Sequence, residues 1–155
     1  MKFTFNSGAS QEHGHDDGHD HAVATPGIPL LFAGAPSSAS AVLDLRVSIV
    51  GEEVVCDGLS GDGVSYARSS KRFSDRSPAA LAPLVRSVIA RTGAALPEPL
   101  IASVTSVILD LGGDEAAVLT ELGLPVSPGS AQLGTVDAAL QARVGVNAGV
   151  PIRRA

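Results

Sequence analysis

The sequence predicts an α+β fold, a small three-stranded antiparallel meander packed on one face by three to four helices and preceded by an extended N-terminal arm. Three observations carry this. In VLDLRVSIV, Leu43, Leu45, Val47 and Ile49 alternate with Asp44, Arg46 and Ser48, the period-two pattern of a half-buried strand. Two pairs, Gly51-Glu52 and Asp62-Gly63, offer the backbone freedom that tight hairpin turns require. Beyond Ser77, apolar residues recur three and four apart, the helical period. A chain of 155 residues suits one domain with appended segments. The divisions fall at 1–40 (arm), 41–145 (α+β domain) and 146–155 (extended C-terminal tail).

The arm opens with KFTF, whose alternation suits a short edge strand, and continues into HGHDDGHDH. That tract holds all four histidines of the chain. In an extended backbone, side chains at i and i+2 point the same way, so His13/His15 and His19/His21 can each pinch one ion. Asp16, Asp17 and Asp20 supply carboxylates beside them, and imidazole with carboxylate suits Zn²⁺ or Ni²⁺. Gly14 and Gly18 let the two pairs curl together. A tract without packed neighbours lacks the hydrogen bonds that fix ring tautomers at a dedicated site. The competing reading is a solvated tail whose charge rises as pH falls through about 6.5. Downstream, Ile28, Leu30, Leu31 and Phe32 form an apolar knot in a Pro/Gly/Ala-rich stretch. The knot packs on its own domain or docks on a partner.

In the meander, two-residue turns at 51–52 and 62–63 set Arg46, Asp57 and Arg68 in one cross-strand row, with the acid between two guanidiniums. The opposite face carries Leu43, Leu45, Val47, Ile49, Val54 and Cys56 toward the helices. Cys56, the single cysteine, is read as a small core residue. DGLSGDG has turn chemistry without the ligand spacing of a calcium loop or the cation of a phosphate loop. The segment RSSKRFSDR then gathers Arg68, Lys71, Arg72 and Arg76, four of eleven basic residues. They nominate an anion site or a contact for an acidic partner surface.

Ser77 caps a helix beginning at Pro78, where a missing N–H costs nothing. Pro83 either kinks that helix or marks where its regular part begins, and Gly93 ends it. In PEPLIASVTSVILDLGG, Leu100, Ile101, Val104, Val107, Ile108 and Leu111 read as a second helix. Being free of charge along most of its length, it suits a core or a subunit interface. Asp114 caps a short helix to about Leu122, completing an αα-hairpin. SPGSAQLG is loop, and Thr135 caps a last short helix.

Composition narrows the functions. Hydrophobic residues make up 45% of the chain but aromatics only 3%, so the core is aliphatic. A net charge of −5, with no basic stripe and few rings for bases to stack on, argues against nucleic acid. No stretch reaches the ~20 apolar residues of a membrane span, and the N-terminus lacks a secretory h-region. These features point to the cytoplasm, or to an assembly built there. With every histidine in the arm, a Ser–His or Cys–His pair in the body would need the arm to fold back. The carboxylate pairs Glu52-Glu53 and Asp114-Glu115 occupy a turn and a helix start, where acids are expected. The sequence therefore points to a non-enzymatic structural or assembly subunit working through protein contacts, as a homo- or hetero-oligomer. It requires no cofactor, though the arm can take Zn or Ni. The alternatives are a Ni/Zn accessory protein whose arm loads metal onto a partner enzyme, and a small enzyme whose active residues the sequence does not nominate.

Overall fold

The computed structural model describes residues 37–155. The chain divides into two units, 1–35 and 36–155, and every described element belongs to the second. These are β1 (Leu43–Val50), β2 (Glu53–Ser60), β3 (Ser65–Arg72), α1 (Pro78–Ala95), α2 (Glu98–Ala102), β4 (Val104–Asp110), α3 (Glu115–Glu121), β5 (Gln132–Thr135), α4 (Ala138–Val144) and β6 (Pro151–Arg154). The strands form one six-stranded sheet in the order β3-β2-β1-β4-β6-β5.

The α+β class and the meander hold, but the meander is only half of the sheet. Gly51, at φ 60°, makes the first turn, and Arg46 pairs with Asp57, which pairs with Arg68, the expected row. β4 then lies parallel to β1, β6 parallel to β4, and β5 antiparallel to β6.

The second helix expected from PEPLIASVTSVILDLGG does not form. Five residues make α2, and the rest is β4, in the middle of the sheet. β4 does not alternate: on the side away from the helices Ser106 is buried and Ile108 half-buried among the neighbouring strands, so no polar period marks that side. Val104, Ser106, Val107 and Leu109 are all buried. The β-branched Val, Thr and Ile of this run favour the strand. With β4 in place, no αα-hairpin precedes α3. The C-terminal segment is extended, as expected, but it enters the sheet as β6 between β4 and β5.

α1 starts as the sequence indicates, with Ser77 accepting a hydrogen bond from the Ala80 N–H at 3.3 Å. It continues through Pro83 and past Gly93 to Ala95. Gly93 is a close-approach position: a Cβ there would lie 3.0 Å from the Ile101 side chain and 3.1 Å from the Val144 carbonyl. α4 is capped by Asp137, whose carboxylate accepts from the Leu140 N–H at 2.7 Å, while Thr135 ends β5.

All three longer helices pack on the same face of the sheet. Val85 and Ile89 of α1, Leu119 of α3, and Leu140 and Val144 of α4 meet Val107, Leu109 and Ile152 there. Leu43, Leu45, Val47, Val54 and Cys56 join the same aliphatic core. Burying each such side chain fully stabilises the fold by about 1.5–3 kcal/mol. Ser69 and Thr92 lie 2.7 Å apart, hydroxyl to hydroxyl, and tie α1 to the sheet: Ser69 donates to the Val88 carbonyl and Thr92 to the Cys56 carbonyl.

Candidate interaction surface

Successive residues of a strand point to opposite sides. With the odd positions of β1 facing the helices, the even ones face away, and no described element packs over them. The register gives the rows of this open face. Asp44 lies between Leu59 and Ser106, Arg46 between Asp57 and Ile108, and Ser48 between Val55 and Asp110. Arg68, Ser70 and Arg72 extend it along β3, and Arg153 extends it along β6.

Three of its arginines have an acid beside them within the face. Arg46 reaches Asp110 at 3.5 Å, Arg68 reaches Asp57 at 3.6 Å, and Arg72 lies 4.0 Å from Glu53. The guanidiniums are 48–81% exposed, so each pair contributes about 0–1 kcal/mol to stability in water. Arg46 turns to Asp110 because β4 flanks β1 on the side away from β2. The Asp44 carboxylate accepts from the Ser106 hydroxyl at 2.6 Å and from Thr105 at 2.8 Å. The large hydrophobics that are exposed among the described residues are Val42 (43%) and Val50 (54%). By alternation both belong to this face, at the two ends of β1.

The carboxyl end of β4 carries a second polar constellation. Gly112 and Gly113 adopt positive φ, 72° and 104°, folding Asp110–Glu115 back on itself. Glu115, only 3% exposed, holds that turn. One carboxylate oxygen accepts from the Leu111 N–H at 2.8 Å and the Gly113 N–H at 3.1 Å. The other lies 3.4 Å from Nε of Arg154, stapling β6 to the loop. Burial raises the Glu115 pKa, but its own, the Gly113 and the Leu111 backbone donors, together with Arg154, outweigh that and hold it below its ordinary value. Arg76 closes the outside: Nη2 donates to the Leu111 carbonyl at 3.5 Å, and Nε lies 4.0 Å from Asp114. Glu115 Oε1, Arg76 and Asp114 hold the loop together, while the buried Oε2 has no hydrogen-bond partner among the described residues and faces Arg154 of β6.

The four cations read as an anion site do not converge. Arg68 and Arg72 sit on the open face, Lys71 alternates to the helix side beside Val54, and Arg76 belongs to the β4–α3 turn. Arg68, Arg72 and Arg76 each have an acidic neighbour within the chain. Asp62 of DGLSGDG accepts from the Ser38 and Ser60 hydroxyls and the Ala39 N–H, which depress its pKa, and works as a hairpin clamp. Cys56 is buried, and burial pushes its thiol from 9.0 up to about 12. His13, His15, His19, His21, Asp16, Asp17 and Asp20, with Ile28, Leu30, Leu31 and Phe32, lie outside the described residues. Among the described residues no cluster of three or more His, Cys, Asp or Glu could hold a metal ion. A shallow dish of about 430 Å³ at β5, lined by Ser127, Ser130, Gln132 and Thr135 among others, contains no titratable side chain.

Sequence reasoning missed Ile108, Asp110 and Arg153 as surface residues, since only the β4 and β6 pairings bring them onto the face that carries Arg46. No local pattern could have signalled this. No described helix is long and apolar enough to cross a membrane. No family model matches the chain, and no curated protein or solved structure matches it either.

Proposed function

We propose that this protein is a non-enzymatic assembly subunit that docks another protein surface on the open face of its sheet. One observation carries the reading: β1, β4 and β6 run parallel, yet the described helices cover only one of their faces. All-parallel sheets occur almost only with both faces covered, and in this mixed sheet it is the parallel part that lacks a second helix layer. A partner surface would supply the missing layer. The two exposed valines favour the same face, since it is there that the described surface has apolar area to remove from water. Its charges favour a protein partner over a polyanion. Arg46, Arg68 and Arg72 already have carboxylates beside them, so a phosphate chain would meet acids as often as bases.

The apolar run of β4 lends this reading no support, because it is consumed inside the sheet and presents no interface helix. Site-specific cross-linking in the native host tests the proposal. A photoreactive residue at Ser70 or Arg153 should trap a discrete protein partner, and one at Arg91 on the helix layer should not. Equal trapping from both faces, or trapping from Arg91 alone, overturns it.

A further inference from the structure

Resting on that reading, we infer that the occupant of the open face is a second copy of this chain, laid β1 over β1 in opposite directions about a two-fold axis at Arg46. Counting Val42, which precedes the strand and accepts from the Gly61 N–H, the open side of β1 carries Val42, Asp44, Arg46, Ser48 and Val50. Its ends and centre are palindromic (apolar, cationic, apolar), with the anionic Asp44 and the hydroxyl of Ser48 at the two positions between. A two-fold contact requires such self-complementarity, because residue i meets j and j meets i. Turning one copy over onto the other sets Val42 against Val50 of its partner at both ends, uniting the exposed valines in two apolar contacts. Asp44 then faces a Ser48 hydroxyl able to donate to it, again twice. At the axis each Arg46 brings Asp110 with it, 3.5 Å away, so two ion pairs meet there in place of two bare cations.

Charge balance points the same way. The face carries four arginines (Arg46, Arg68, Arg72, Arg153) and four acids (Asp44, Glu53, Asp57, Asp110). It is neutral on a chain of net −5, so two copies can approach through it without the repulsion a charged patch would bring. Stacked sheets keep their strand directions within about 30° of each other, which an antiparallel β1-on-β1 contact satisfies.

Sedimentation of the full chain and of two double variants tests the inference. Val42 and Val50 are exposed, so their replacement leaves the core intact, and unchanged melting verifies that. The wild type should be a dimer. Val42→Glu with Val50→Glu places like charges together twice and should raise the dimer dissociation constant about a hundredfold or more. Val42→Lys with Val50→Glu makes both contacts Lys–Glu and should retain the dimer. A Glu/Glu variant that still dimerises, or a Lys/Glu variant as monomeric as Glu/Glu, overturns this pairing. A monomeric wild type also overturns it, but leaves docking of a different protein standing if the open-face cross-links still form.

Discussion

Removing the Glu115 carboxylate tests whether the β4–α3 turn and β6 are held as described. In Glu115→Ala the Leu111 N–H, in a residue with 0% exposure, loses its acceptor with no water to replace it. Leaving a buried donor unpaired costs about 1–3 kcal/mol. The Gly113 N–H sits in an exposed turn and recovers most of its loss from water. The Arg154 contact involves a half-exposed guanidinium and adds little. The sum is about 1–3 kcal/mol, against a total of about 5–15 kcal/mol for a domain. Glu115→Gln keeps one acceptor and should lose about half as much. Urea unfolding reads both as a lower midpoint with unchanged slope. The pH dependence follows from the depressed pKa. The stabilisation is fully present above the ordinary carboxyl value of 4.5 and is lost as pH falls through the lower folded value. The gap between wild type and Glu115→Ala should therefore be constant near neutrality and close in acid. An alanine variant within about 0.5 kcal/mol of wild type at neutral pH would refute the reasoning.

Three other contacts and segments give outcomes of their own. Ser77→Ala removes the cap of α1 and should cost about 1 kcal/mol, whereas Ser77→Gly should cost only a few tenths; equal losses would point away from the cap. With its pKa near 12, Cys56 should resist a thiol reagent in mildly alkaline buffer and react at the rate of global unfolding; faster reaction under native conditions contradicts its burial. The His/Asp tract should bind Ni²⁺ in calorimetry of the full chain, weaken as pH falls through about 6.5, and lose binding when His13, His15, His19 and His21 become Ala. Undiminished binding in that variant would move the metal elsewhere.

The parts of this fold legible in the sequence are those where one side of an element meets water. β1 alternates because its far face is open, and turn glycines set the meander's register well enough to place Arg46, Asp57 and Arg68 in one row. β4 lacks that alternation because Ile108 stands on the open face where β1 carries Arg46, so the spacing of Val104, Val107, Ile108 and Leu111 imitated a helix. β5 and β6 are four residues each, one containing Gly134 and the other starting at Pro151, too short for either period to register. The open face shares this origin. Half of it was visible as the polar side of the meander. Ile108, Asp110 and Arg153 join it only through parallel pairings between segments distant in sequence.

Hydroxyl-radical footprinting tests most directly the claim that the uncovered side of the sheet is the working surface. In dilute purified protein Val42, Val50 and Ile108 should oxidise readily. In the associated state those three should be protected while Leu84 and Ala90, on the helix layer, keep their rate. Protection confined to the helix layer, with both valines still reacting freely, would contradict the account.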